Sequence, residues 1–137
     1  MPGTNKTLGG GGIHHVAVRV KDFDRSHRFY TEALGFKERL IWGEGRKRCC
    51  LLDTGDGNYL ELQGGDEPPP GGAILHIAIR TDDCDAAIER VRKAGAEITV
   101  EPKSVDIQGK PGPVSVRIGF FKGPDGEMIE FFQNTAT

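Results

Sequence analysis

A ten-residue segment occurs twice in this chain, and its repetition constrains the possible folds more than any other feature. The first copy is His15-Val-Ala-Val-Arg-Val-Lys-Asp-Phe-Asp24 and the second is His76-Ile-Ala-Ile-Arg-Thr-Asp-Asp-Cys-Asp85. An amphipathic segment follows each copy and ends at a glycine, Gly35 in one case and Gly95 in the other. Self-similarity of this kind indicates two copies of one supersecondary unit.

Within each copy the residue types alternate as they do in a β-strand with one apolar face, because residues i, i+2 and i+4 of a strand share a face. The polar face of each predicted strand carries a histidine, an alanine and an arginine: His15, Ala17 and Arg19 in the first copy, and His76, Ala78 and Arg80 in the second. A single histidine in a strand is more often structural than a ligand. Its recurrence at the same place in both copies favours a functional role.

The order of predicted elements is the same around both copies: strand, helix, then three strands. We therefore predict an α+β fold of two tandem βαβββ modules, residues 13–63 and 73–133, that together form one domain. Residues 1–12 are predicted to be a flexible, glycine-rich tail, and residues 64–72 a Gly/Pro linker.

Three local predictions concern individual elements. A helix is predicted over roughly Arg25 to Leu34, and Asp22 or Asp24 can cap it. A strand is predicted over Glu97 to Glu101. The segment Pro102 to Pro113 contains three prolines and two glycines and is predicted to be a long loop, of a length typical of a binding lid.

Composition excludes several classes of partner. The net charge of −2 gives no reason to expect nucleic acid or an anionic membrane as a partner, and no apolar run approaches the ~20 residues of a membrane span. The cysteines, Cys49, Cys50 and Cys84, are odd in number and lack CxxC spacing. An odd cysteine count without this spacing argues against disulfides and is typical of reduced thiols in a cytoplasmic protein.

A glutamate lies within the last predicted strand of each module, Glu61 in the first and Glu130 in the second. A carboxylate among apolar residues needs a partner, because an unpaired buried charge is costly. Two interpretations remain open from the residues alone. The glutamates pair with Arg19 and Arg80, or both glutamates and both repeat histidines meet at a divalent metal ion.

Four segments together resemble the vicinal oxygen chelate superfamily, which includes glyoxalase I, methylmalonyl-CoA epimerase, extradiol dioxygenases and fosfomycin resistance proteins. They are His15-Val-Ala-Val-Arg-Val-Lys-Asp, Phe29-Tyr-Thr-Glu-Ala-Leu-Gly-Phe36, His76-Ile-Ala-Ile and Gly123-Pro-Asp-Gly-Glu-Met-Ile-Glu130. The resemblance extends from about Ile13 to Gln133. It implies two βαβββ modules forming a half-barrel around one metal ion, usually completed by a homodimer.

The resemblance also assigns the family's four ligand positions to residues of this chain: His15, Glu61, His76 and Glu130. Two imidazoles and two carboxylates suit one divalent transition metal per site, Zn, Ni, Co, Mn or Fe, better than Ca or Mg. Extradiol dioxygenases have an iron site of two histidines and one carboxylate, and the added Glu61 argues against that site here. The epimerases usually have glutamine where this chain has Glu61. Nickel or zinc glyoxalase I enzymes have the His, Glu, His, Glu set found here.

The resemblance therefore implies a glyoxalase I-like (lactoylglutathione lyase-like) lyase or isomerase, in which proton transfer next to a carbonyl passes through a metal-bound enediolate. Glu130 is expected to be the base and Glu61 the residue that returns the proton. The alternatives are an epimerase or an antibiotic-modifying thiol transferase on the same metal site, or a non-catalytic binding protein like the bleomycin resistance proteins.

The expected substrate is a small molecule, possibly a thiol adduct of an aldehyde, with Arg19 and Arg117 as candidate binding residues. Arg19 falls where glyoxalase I carries an arginine that binds a glutathione carboxylate. An asparagine expected four residues after the second ligand is Gly65 here, and an expected lysine is Val116, beside Arg117. These departures leave the use of glutathione open.

Overall fold

The computed structural model describes residues 4–66, 71–123 and 126–137 of the chain. These residues form two compact units. The first unit comprises His15–Leu75 and Ile107–Pro113, and the second comprises His76–Asp106, Val114–Thr137 and the segment up to His14. No helix of the described residues is long and apolar enough to cross a membrane.

The first unit contains a helix and strands in the predicted order. They are β1 (Ile13–Val20, from His15 onward), α1 (Phe23–Arg28), β2 (Lys37–Trp42), β3 (Cys49–Asp53) and β4 (Tyr59–Gly64). The strand order is β2-β3-β4-β1. β1 runs parallel to β4, and the other neighbouring strands are antiparallel.

The second unit repeats this arrangement. Its elements are β5 (Ile74–Arg80, from His76 onward), α2 (Cys84–Lys93), β6 (Glu97–Ile107, up to Asp106), β7 (Val114–Lys122) and β8 (Met128–Gln133). The strand order is β5-β8-β7-β6. β5 is parallel to β8, and β8 is antiparallel to β7.

The predicted fold class, α+β with two βαβββ modules, is confirmed by these two arrangements. The predicted residue bounds of the tail, the modules and the linker remain predictions. Residues 1–3 of the predicted tail, 67–70 of the predicted linker and 124–125 of the segment 123–130 lie outside the described residues.

Each helix begins at an aspartate that follows a copy of the repeat strand. Asp22 Oδ1 accepts a hydrogen bond of 3.0 Å from Arg25 N, and Asp83 Oδ1 accepts one of 2.9 Å from Ala86 N. Such caps satisfy backbone N–H groups that have no partner within the helix. The first helix starts earlier than predicted, at Phe23, and after Arg28 it continues as a π-helical turn over Phe29–Ala33.

The predicted loop over Pro102 to Pro113 is wrong in its first half, because β6 continues to Ile107. Pro102, Val105 and Ile107 are half-buried among exposed polar residues. Half-buried and exposed residues thus partly alternate, as in a strand with one buried face. The prolines in this segment led to the prediction of a loop instead. β6 is the outermost strand of its unit, where the missing N–H of a proline is tolerated.

A hydrophobic core lies between the helix and one face of the sheet in each unit. In the first unit it contains Val20, Phe23, Cys50, Leu52 and Leu62. In the second unit it contains Cys84, Ala87, Ile88 and Phe131. The opposite face of each sheet carries the histidine of the repeat and the glutamate of the last strand, so the apolar pattern determines where the polar residues point.

Candidate functional site

The first unit brings His15 and Glu61 together on one face of the parallel strands β1 and β4. Glu61 lies opposite Ala17 in the ladder, and His15 lies opposite Tyr59. His15 Nε2 is 3.2 Å from Glu61 Oε2. The imidazole is fully buried, and Glu61 is 7% exposed.

Gln63 lies on the same face of β4, two residues beyond Glu61. Its side-chain amide Nε2 donates a hydrogen bond to Glu61 Oε1, the oxygen that does not face His15. The alternation of β4 placed Gln63 on the polar face. Sequence reasoning assigned it no role, because the pattern does not specify which side chains on a face touch.

The second unit contains an equivalent pair on β5 and β8. Glu130 lies opposite Ala78 in the parallel ladder, and its Oε2 is 3.0 Å from His76 Nε2. Glu130 is buried and His76 is half-buried, with side-chain exposed fractions of 6% and 10%. The ring of Phe120 packs edge-on against His76 at 5.3 Å between centroids.

The donor atoms of the two pairs fit a divalent transition metal ion. Each pair offers one imidazole nitrogen and one carboxylate oxygen, and a buried carboxylate requires a counter-charge. The carboxylate of each pair supplies negative charge that a bound divalent ion would balance. Mixed nitrogen and oxygen ligands suit Zn, Ni, Co, Mn or Fe.

Arg19 lies on the same face of the first unit, opposite Gln63 in the ladder. Its Nε is buried and has no hydrogen-bond partner among the described residues. A Cβ placed on Gly65 would lie 2.5 Å from Arg19 Nη1, so the guanidinium occupies the space that a side chain at this position would need.

The sequence left open an ion pair between Glu61 and Arg19. In the described part of the first unit this ion pair is not present, and Glu61 contacts His15 and Gln63 instead. In the second unit, Arg80 Nη1 donates to the carbonyl oxygen of Ile13 at 2.7 Å.

A sequence profile of the Glyoxalase/Bleomycin resistance protein/Dioxygenase superfamily matches residues 12–131. The chain belongs to this superfamily. The resemblance drawn from the repeated histidine strands is thereby confirmed, and so is the fold that it implies.

Curated relatives within the superfamily match nearly the whole chain. A lactoylglutathione lyase from Haemophilus influenzae is 37% identical over 138 residues, covering 91% of this chain and 94% of the relative. A probable lactoylglutathione lyase from Vibrio parahaemolyticus is 35% identical over 139 residues, covering 93% and 94%. These similarities indicate an enzyme of the superfamily.

A solved structure has the same fold as this chain. The crystal structure of methylmalonyl-CoA epimerase from Mycobacterium tuberculosis matches with a TM-score of 0.73 and 22% identity, covering 96% of this chain and 92% of that one. At this identity the likeness shows the fold alone.

Arg117, the second arginine proposed from the sequence to bind substrate, lies on the helix-covered face of its sheet. Its Nε and Nη2 donate to the Asp85 carboxylate at 2.5 and 2.8 Å, and its Nη1 donates to Ser104 Oγ at 3.0 Å. The guanidinium holds the pKa of the Asp85 carboxyl below its usual value. That Arg117 binds substrate remains a prediction, and its contacts with Asp85 and Ser104 do not support it.

All three cysteines are free thiols. Burial, with a smaller effect of the nearby Glu61 carboxylate, raises the pKa of Cys49 to about 11. Burial also raises the pKa of Cys50 to about 12 and that of Cys84 to about 11. Since the thiolate is the nucleophile, these cysteines are inert at neutral pH.

We expect iodoacetamide at pH 8 to alkylate the folded chain roughly 100-fold more slowly than a free cysteine with a pKa of about 8.5. The rate should rise as pH approaches 11. The neutral thiols stabilise the folded state below about pH 8.5, and this contribution is lost as pH rises through the folded-state values. Mass spectrometry of timed samples gives the rates, with urea-unfolded chain as control. Equal rates for folded and unfolded chain would contradict the raised pKa values.

Proposed function

We propose that this protein is a metal-dependent lyase or isomerase of the glyoxalase I-like kind, which transfers a proton next to a carbonyl group. The observation that carries the proposal is that each unit holds one histidine–glutamate pair with a buried carboxylate, 3.2 Å apart in the first and 3.0 Å apart in the second. Similarity to relatives named lactoylglutathione lyase supports the same class of reaction.

The residues that would hold the metal ion are His15, Glu61, His76 and Glu130, the ligand positions that the family resemblance assigns. Zn, Ni, Co, Mn or Fe each accept this set of donors. When bound, such an ion supplies Lewis-acid polarisation of substrate oxygens.

The two glutamates supply the proton transfer. Glu130 takes the proton from the carbon next to the carbonyl. Glu61, once it has received that proton by way of the substrate oxygens, returns it to the neighbouring carbon. Both carboxylates are buried, at 5% and 7% exposure, so water does not screen their charge during the transfer.

The proposed substrate class is the thiol adduct of an aldehyde, with an anionic group bound by Arg19. The Nε of Arg19 supports this role, because it is buried and has no hydrogen-bond partner in the described part of the chain. An asparagine in place of Gly65 would require the guanidinium to move, because the two would occupy the same space. The proposed anchoring of the anion therefore depends on Arg19 and not on a side chain at position 65. The homodimer implied by the resemblance and the cytoplasmic location favoured by the cysteine pattern belong to this proposal.

Metal titration of the metal-free protein tests the proposal. We expect one transition metal ion per chain, with stabilisation of about 2.7 kcal/mol when the free metal concentration is 100 times Kd. His76→Ala should lose this stabilisation. His27→Ala is the control, because His27 lies on α1 and pairs with Glu38 at 2.7 Å, outside the two buried pairs. Calorimetric titration and thermal unfolding measure both quantities.

The outcomes separate the candidate functions. Stabilisation of the parent and of His27→Ala, but not of His76→Ala, would justify screening hemithioacetals and epimerisable acyl thioesters with the loaded protein. Turnover of acyl thioesters alone would favour the epimerase alternative. Absence of metal binding by the parent, or equal binding by the parent and His76→Ala, would contradict the metal site and favour a binding protein.

A further inference from the structure

The side chain of Gln63 determines how the Glu61 carboxylate is oriented. Both residues lie on β4, and the two-residue separation places them on the same face. The Gln63 amide nitrogen donates to Glu61 Oε1, while Glu61 Oε2 lies 3.2 Å from His15 Nε2. The two oxygens of this carboxylate therefore have different partners, and rotation of the carboxylate would break both contacts.

The chemistry of the two groups fixes the direction of the hydrogen bond. An ionised carboxylate only accepts hydrogen bonds, so the glutamine must present its NH₂ group and not its carbonyl oxygen. The donor is neutral, so it orients Glu61 without cancelling the carboxylate charge. An arginine in this role would neutralise that charge, and Arg19, the nearest candidate in the ladder, does not pair with Glu61 in the described part of its unit.

The second unit differs at the corresponding position. The residue two places beyond Glu130 is Phe132, whose ring packs on His14 with centroids 4.1 Å apart. A phenyl ring has no N–H or O–H to donate. Of these two strands, only β4 therefore carries an amide donor two residues beyond its glutamate.

From this geometry we propose that Gln63 is a positioning residue that holds Glu61 in the orientation required of a metal ligand. This inference rests on the proposed function, since it assumes that Glu61 binds metal. Hydrogen bonds to ligating carboxylates orient them, and removing such a partner typically weakens metal affinity about 10–100-fold.

The test is the metal affinity of Gln63→Met, measured by competition with a chromophoric chelator for Zn²⁺. Methionine keeps the length of the side chain and removes the donor. We expect about 10–100-fold weaker binding, with the thermal stability of the metal-free protein unchanged. Gln108→Met is the matched control, because Gln108 is exposed, and it should bind Zn²⁺ like the parent. Gln63→Ala removes the same donor and replaces Gln63→Met if that variant does not fold.

A double-mutant cycle distinguishes action through Glu61 from a general structural effect. In a Glu61→Ala background, Gln63→Met should cause no further loss of affinity, because the group that it orients is gone. Additive losses, or parent-like affinity of Gln63→Met and Gln63→Ala, would overturn the role of Gln63 while leaving the proposed function standing. Absence of Zn²⁺ binding by the parent would overturn both.

Discussion

Replacing Glu130 with glutamine should leave the fold intact and reduce turnover about 10²–10⁴-fold, the usual contribution of a general base. Glutamine has nearly the same shape as glutamate, so the packing around this buried position is preserved. Its amide cannot accept the proton that the proposed mechanism removes from the substrate carbon. The loss should therefore appear in kcat, measured on a hemithioacetal that the parent turns over.

Two measurements keep this prediction specific to the base. Glu127→Gln makes the same chemical change at an exposed residue three positions earlier, and it should behave like the parent. The metal content of Glu130→Gln is measured in the same samples, because a variant that has lost the ion would be inactive for a different reason. Parent-like turnover by Glu130→Gln would show that Glu130 is not the base. A larger loss in Glu61→Gln would reverse the two roles.

The fold and both buried pairs were predictable because the information lies in strand alternation, which is local. Because His15 and His76 lie in strands whose other face is apolar, their side chains point to the polar face. The repeat then relates the glutamate of one last strand to that of the other. The resemblance assigned His15, Glu61, His76 and Glu130 to the family's four ligand positions. The residues alone had left open whether the glutamates pair with arginines or bind a metal ion.

The parts that sequence reasoning missed depend on side-chain contacts between elements or on competing local signals. The ion pair of Arg117 with Asp85 joins β7 to α2, and an arginine in the sequence does not reveal which face of its strand meets a helix. The hydrogen bond from Gln63 depends on side-chain torsions. The continuation of β6 to Ile107 was hidden by Pro102, whose cost depends on whether its strand lies at an edge.

Leu62→Ala should cost about 2–5 kcal/mol of folding free energy, the range measured for leucine truncations in protein cores. Leu62 is fully buried and packs in the cluster formed by Val20, Phe23, Cys50 and Leu52. The change removes apolar contacts and leaves a cavity that the surrounding strands and helix fill only in part. For a domain with a total stability of about 5–15 kcal/mol, this is a large fraction.

Leu34→Ala is the matched control, because Leu34 belongs to the same unit and is 53% exposed. Its cost should stay within about 0.5 kcal/mol, and urea unfolding of the metal-free proteins measures both. Equal costs would contradict the placement of the core. Leu62 also lies between Glu61 and Gln63 on β4 with its side chain on the opposite face, so the packing that buries it holds both polar residues in register. Loss of this packing should therefore weaken metal binding as well as stability, although Leu62 contributes no donor atom.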